Sequence, residues 1–488
     1  MFKSKRFIFL LIFIIYINLS YDPLSAWAAE SFDTTKVDEY VTNYIGKNGL
    51  PGAAIVIVKD GQVLYEKGFG HDSEGNPQTA KSIIGIASGT KPFTAFAVLQ
   101  LVDEGKIKLD DPIVKYLPEL KLDDERWEQM TVRQLLSHTS GLPNPTIVAP
   151  ANTLKEGVGR LYDWKLQSNP GEKYGYSNAN YWTLAYLVEQ ISGMTFNDYL
   201  TQNVFSPLGM NDSISVVNSE DITKKLGLPR GYVSLYGTAI PWTELEQMLS
   251  GSGSIFTTAS DMGKWLSMHT NEGKNEKGEQ LLSQELLKES YSPQSGIENY
   301  GLGWSLSSPN IKPARISHSG SKTTFQSQQD IVPSSGYAVA VLLNSFTTTF
   351  EHPYEISTGI IQLTEGHEPV LKSPTPKIID LSLGVITLIY LMLGIRGILR
   401  SKLWTDKRKQ HPAWRFCLRL IPQLVPVVGI GWLLFVVPTL KNNSSTTIDA
   451  FGLWPAAMIF LAIVFIIGLV LTISRIYYRI RIIRNLRL

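Results

Sequence analysis

Three apolar stretches near the C-terminus constrain this chain more than any other feature. They cover residues 378–395, 420–440 and 451–473. Each is close to the ~20 residues that a helix needs to cross the hydrocarbon of a bilayer. Residues 378–474 therefore read as a membrane module with three transmembrane helices. From Ile378 onward 14 Lys+Arg stand against 3 Asp+Glu, which leaves 31 basic and 40 acidic residues in the rest of the 488. An acidic body is joined to a basic membrane module, an asymmetry hidden by the net charge of +2.

The basic residues orient the module. Arg396, Arg400, Lys402, Lys407, Arg408, Lys409, Arg415 and Arg419 crowd the first connection, and Arg475, Arg479, Arg481, Arg484 and Arg487 crowd the tail, 475–488. The second connection, 441–450, has one Lys. Positive charge stays in the cytoplasm, so the tail and first connection are expected inside, and residues 30–377 outside. The N-terminus agrees. Lys3, Lys5 and Arg6 precede the apolar run 7–19, and Ala26-Trp27-Ala28 offers small residues to a signal peptidase, so 1–28 reads as a signal peptide. The basic clusters sit beside spans and point to the lipid bilayer, not to nucleic acid. The one cysteine, Cys417, falls at the cytoplasmic end of the second span. The outer body thus has no disulfide and depends on an apolar core, which ~340 residues can supply.

Within that body, 30–370, Val37, Tyr40, Val41, Tyr44 and Ile45 recur at helical spacing. Residues 52–59 form a continuous apolar strand run, Asp60-Gly61 is a two-residue hairpin turn, and 62–69 returns as a second strand. A helix is expected from Ser88 to Leu101, and 130–230 is mostly helix and loop. Strands recur at 315–318, 324–332 and 337–344, with a closing helix at 354–364. Strands at both ends with helices between predict one sheet assembled from both termini. The fold class is α/β of the α+β type: a mainly antiparallel sheet flanked by helices, plus a helical subdomain. Residues 371–377, with Pro374 and Pro376, are a stiff tether to the first span.

Three short motifs carry candidate chemistry. In Ser88-Gly89-Thr90-Lys91 a serine opens a helix with a lysine one turn later on the same face. A desolvated lysine amine can take the proton that makes a hydroxyl nucleophilic. In Tyr176-Ser177-Asn178 a phenol can share a proton with that lysine, and an amide can bond the lysine or a substrate carbonyl. In His318-Ser319-Gly320, small residues at a strand end let an extended substrate lie along the edge, and His318 can donate to a carboxylate. Each motif alone is also compatible with a purely structural role.

Together, in this order and about 90 and 140 residues apart, S-x-x-K, Y-x-N and H-x-G resemble the three signatures of the serine β-lactamase and penicillin-binding-protein superfamily. The tyrosine in the second motif and the histidine in the third resemble its class C β-lactamase-related branch. The segments 130–143 and 253–262 are similar to others typical of that branch, and the resemblance spans 33–365. It implies acyl transfer: Ser88 as nucleophile, Lys91 and Tyr176 sharing the base role, and Asn178, His318, Ser319, Gly320 and Ser321 holding substrate. The backbone N–H groups of Ser88 and Ser321 would receive the oxyanion. It implies no metal or organic cofactor. His138, in a matching segment, reads as structural. The branch commonly continues its third motif with glycine, whereas Ser321-Lys322-Thr323 follows here, making the rim bulkier and adding a cation.

The expected function is that of a membrane-anchored, extracytoplasmic serine hydrolase. Its expected substrates are small molecules or peptides, such as peptidoglycan fragments, D-amino-acid peptides or β-lactams. The alternatives are an esterase or amidase using the same machinery, and a penicillin-binding wall sensor with little turnover.

Overall fold

The structure, a computed structural model, describes residues 32–144, 148–224, 226–294, 296–347, 352–436 and 451–485. The expected signal peptide, 1–28, lies outside the described residues. Helix α1 (Thr34–Asn48) is capped by the Asp33 carboxylate, which accepts from Thr35 N, and it ends at Gly49 with φ 71°. It buries Val37, Tyr40, Val41, Tyr44 and Ile45, the stripe expected from spacing. Strands β1 (Gly52–Lys59) and β2 (Gln62–Gly70) form the hairpin. Its turn residues Asp60 and Gly61 have φ of 47° and 80°, the left-handed pair that such a turn requires.

The elements that position the site follow in chain order. They are α2 (Lys91–Asp103), α3 (Asn178–Ser192), the hairpin β3 (Gly231–Leu235) and β4 (Thr238–Trp242), and α4 (Ala259–Thr270). Next come β5 (Ser305–Leu306), β6 (Ile316–Ser321), β7 (Gln326–Val332), β8 (Tyr337–Leu343), β9 (Ser345–Phe346) and α5 (His352–Thr364). The main sheet has the order β2-β1-β8-β7-β6-β5, antiparallel throughout. The two ends of the body meet in its middle, with Ile55 opposite Val341 and Ile57 opposite Val339.

Alternation along β1 and β8 explains why their sequences are apolar at every position. Ala53, Ile55, Ile57, Val339, Val341 and Leu343 join one core with α1 and α5. Ala54, Val56, Val58, Ala338, Ala340 and Leu342 join the other, with Phe93, Trp182, Trp265 and the helical part of the chain. A strand covered on both faces has no polar side to present. The second core holds α2, whose N-terminus carries the serine motif.

Of the three expected spans, the described residues contain two long apolar helices and a shorter apolar segment. Two helices are long and apolar enough to cross a membrane, α6 (Thr375–Leu399) and the 31-residue α8 (Pro455–Asn485). Between them α7 (Ile421–Gly431) contains Pro426 and loosens into a π turn, Trp432–Val436. At 1.5 Å per residue the described part, 421–436, runs ~24 Å, and residues 437–440 of the expected second span lie outside the described residues. Two glycines of this module are contact points. A Cβ on Gly394 would meet Ile467 at 2.5 Å, and one on Gly468 would meet Val427 at 2.6 Å. Close approach at small residues is how apolar helices pair without a hydrophobic driving force. The tether is also shorter than expected. Helix α6 starts at Thr375 with Pro376 in its first turn, where a missing N–H costs nothing.

Candidate active site

The serine motif enters α2 through a 3-10 turn, Ala87–Thr90. Ala87 sits at φ 48°, a left-handed conformation that a non-glycine residue adopts at a cost of order 1–3 kcal/mol. Two side chains from β7 hold the turn in place. Ser327 Oγ donates to Ile86 O (2.7 Å) and Gln329 Nε2 donates to Gly89 O (2.9 Å). Strand β6 lies so close that a Cβ on Gly320 would fall 1.9 Å from Ile86 O, and only glycine fits. The glycine of the third motif thus has a packing reason: it lets β6 touch the nucleophile turn.

Lys91 is fully buried. Its Nζ contacts Ser88 Oγ at 3.0 Å, Asn178 Oδ1 at 2.8 Å and Ser252 O at 2.9 Å. Burial first, and the charge of Lys322 second, push its pKa well below the usual lysine range. A neutral amine has two N–H bonds and one lone pair. In the neutral form the two N–H bonds go to Asn178 Oδ1 and Ser252 O and the lone pair turns to the Ser88 hydroxyl, whereas in the charged form all three oxygens accept from Nζ. The three contacts fix the direction of the amine, and its burial favours the neutral form.

Tyr176 is half-buried, with its ring centre 4.9 Å from Lys91 Nζ. Burial raises its phenol pKa, and a hydrogen bond with Ser88 opposes that rise. The ring packs on His138 with centroids 4.4 Å apart. His138 Nδ1 accepts from Ser177 N (3.1 Å) and faces Asn180 Nδ2 (2.9 Å). Burial holds this imidazole neutral, and it fixes the turn that carries Tyr176 and Asn178.

His318 differs from what the sequence suggested. It is 4% exposed, with Nδ1 2.7 Å from Ser319 O and Nε2 3.3 Å from Tyr300 Oη. Burial, and then the charge of Lys91, lower its pKa to about 3, so it is neutral and both ring nitrogens are engaged. The cation facing the cleft is Lys322. It lines the cleft with Ser88, Asn178 and Ser321, and its buried Nζ has no hydrogen-bond partner among the described residues. Burial lowers its pKa to about 7, against the pull of Glu244. Ser319 points to solvent on the alternate face of β6. Ser252, Ser327 and Gln329 carry no motif signal and became visible only in the fold. Among the described residues no group of His, Cys, Asp or Glu is arranged to hold a metal ion.

Comparison with known proteins bears on the family and the fold. The family model described as Beta-lactamase matches residues 37–358. Protein flp of Staphylococcus aureus (strain N315) is 27% identical over 323 residues, covering 63% of this chain and 62% of that protein. The chain therefore spans 62% of the length of the first curated relatives it matches. The putative penicillin-binding protein PbpX of Bacillus subtilis (strain 168) is 28% identical over 282 residues, covering 56% of this chain and 67% of that protein. Among solved structures, the octameric penicillin-binding protein homologue from Pyrococcus abyssi superimposes with a TM-score of 0.58 at 28% identity, covering 69% of this chain and 78% of that one.

Proposed function

This chain belongs to the beta-lactamase family, within the superfamily of serine β-lactamases and penicillin-binding proteins, and on that premise we propose that it is a membrane-anchored serine hydrolase acting through an acyl-enzyme on Ser88. The observation that carries the proposal is the buried Lys91 amine, held by Asn178 and the Ser252 carbonyl with its third contact on Ser88 Oγ. Lys91 takes the proton as Ser88 attacks a substrate carbonyl. Tyr176 hands a proton to the leaving group. The backbone N–H groups of Ser88 and Ser321 receive the oxyanion, and water releases the acyl group. Preorganised donors in a buried site cost no reorganisation when charge develops.

The reading extends to topology and substrate. The body, 30–370, faces outward, and helices near 378–395, 420–440 and 451–473 cross the membrane in three passes after the signal peptide, 1–28. The chemistry is of the class C-related type, with peptidoglycan fragments, D-amino-acid peptides or β-lactams as acyl donors. A buried lysine beside the nucleophile, with no hydrogen-bond partner among the described residues, favours donors that carry an anionic group. That role passes to Lys322 from His318, which is neutral.

A pH experiment tests this assignment. With a pKa of about 7, Lys322 is cationic below that pH and neutral above it. The ratio of kcat/KM for an anionic substrate over its neutral analogue should therefore fall as pH rises from about 6 to 8. Lys322→Gln should lower that ratio at pH 6 by roughly ten- to a hundredfold, the worth of a charge-assisted hydrogen bond, and flatten its pH dependence. A ratio in Lys322→Gln that follows the wild-type curve contradicts the assignment.

A further inference from the structure

The body and the membrane module meet beside the cleft, at a junction built around one carboxyl group. Asp380 lies in the second turn of the apolar helix α6 and is only 5% exposed. It accepts from Ser234 Oγ (2.9 Å) and Gly237 N (2.6 Å) of the β3–β4 hairpin, and from Trp454 Nε1 (3.3 Å), one residue before α8 begins. The hairpin turn rests directly on α6. A Cβ on Gly237 would meet Leu381 Cγ at 2.7 Å, and one on Gly384 would meet Tyr236 Cδ1 at 2.9 Å. A buried carboxyl group in an apolar helix is costly unless partnered. Here its partners come from the catalytic body and from the start of the last helix, so the three segments are clamped together.

From this clamp the hairpin leads into the site. After β4, the Glu244 carboxylate accepts from Thr323 N (3.1 Å), Thr323 Oγ1 (2.5 Å) and Thr324 Oγ1 (2.6 Å), gripping the loop that follows Ser321. Leu245 N donates to Thr323 Oγ1 at 3.2 Å. Gly452 packs on Leu245, where an added Cβ would sit 3.0 Å from its Cδ2. The next residue, Leu453, lines the cleft together with Ser88, Trp182, Leu245 and Met248. One residue of the apolar wall, Leu453, is thus supplied by the C-terminal module, immediately before Trp454, a residue type suited to the membrane interface, and the 31-residue helix Pro455–Asn485.

We propose that the cleft works at the bilayer surface and takes its acyl donor from an amphiphile seated in the leaflet that the catalytic body faces. The proposal rests on the reading of Ser88 as the acylated nucleophile and adds the substrate class. The apolar tail of the donor leaves the bilayer along Leu453 and Leu245 while its carbonyl reaches Ser88. Ser88 Oγ forms a bond to the carbonyl carbon, the ester or amide bond breaks, and the leaving alcohol or amine takes the proton that Ser88 released. Water then splits the acyl-enzyme. A wholly polar, diffusible donor would gain nothing from an apolar wall on that side. Asp380 is a positioning residue in this arrangement: it touches no substrate and holds the wall in place.

The test uses the full chain reconstituted in phosphatidylglycerol–phosphatidylethanolamine vesicles. Two esters with the same reacting group are compared, one on a short polar alcohol in solution and one on a long alkyl tail in the same vesicles. Any anchored enzyme meets a vesicle-held substrate at raised concentration, so the variants decide. Wild type should favour the vesicle-held ester, and Asp380→Ala should cut that preference about tenfold, through KM rather than kcat. Leu453→Gln, which leaves the clamp intact, should cut it similarly. A wild type without preference, or a preference untouched in both variants, overturns the proposal and leaves the module as an anchor only. If neither ester is turned over and Ser88 resists a soluble fluorophosphonate, the reading of Ser88 fails and the inference falls with it.

Discussion

Lys91→Met is expected to lower kcat by about 10²–10⁴-fold, the range removed with a positioned general base. Methionine matches the lysine stem in length and apolar character, so the buried site stays filled. It offers no lone pair of comparable basicity to Ser88 and leaves Asn178 Oδ1 and Ser252 O without their donor. The loss should appear in acylation, measured as the rate of single-turnover labelling, with thermal melting close to wild type. Arg in place of Lys91 should be no better, because a guanidinium stays protonated and cannot accept a proton. A Lys91→Met enzyme that acylates within tenfold of wild type would remove Lys91 from the mechanism.

Gly320→Ala is expected to cost as much through geometry alone. Its Cβ would lie 1.9 Å from Ile86 O and 2.9 Å from Gly89 N, both backbone atoms of the nucleophile turn. No side chain can swing aside, so β6 and the turn must separate by more than an ångström. A displacement of that size can cost about 10²-fold in rate, and the disturbed packing another ~1–3 kcal/mol of stability. The Ser88–Lys91 contact lies within one turn of helix and should survive, whereas Ser321 N moves away from the oxyanion position. The signature is therefore a large fall in kcat with fluorophosphonate still reacting slowly at Ser88. Gly320→Ala kinetics equal to wild type would mean that β6 does not pack on the turn as described.

These two residues also mark what could be read without a structure. The Ser-x-x-Lys spacing puts both side chains on one face of one helical turn, so that part of the site is local and legible. Gly320 was legible as a motif, but its reason was not, because its constraint is the carbonyl of Ile86 across the fold. The remaining contacts of Lys91 come from residues 87 and 161 positions away. Ser252 contributes through its backbone carbonyl, which any amino acid would possess. Ala87 holds a left-handed conformation at the nucleophile without the glycine that usually announces one.

Burial separated the two cationic candidates. In the sequence, His318 and Lys322 stand four residues apart and either can meet an anion. In the fold both ring nitrogens of His318 are engaged, while the lysine Nζ, 5.4 Å from the Phe256 ring centre, has no hydrogen-bond partner among the described residues. The sheet was legible because β1 and β8 are apolar at consecutive positions and joined to unambiguous turns. The C-terminal helices were legible as apolar length, whereas the π turn that follows α7, with Pro426 inside that helix, had no signal in composition. The Asp380 junction had no sequence signal beyond one acidic residue in an apolar run.

The most direct test of the central claim is the mass of the Ser88 peptide after brief exposure of the full chain to a slowly deacylating β-lactam or a fluorophosphonate. The account predicts one adduct, on the peptide containing Ser88, formed faster as pH rises through the depressed pKa of Lys91 and absent in Ser88→Ala. An adduct on a different residue, or equal labelling of Ser88→Ala, would contradict it.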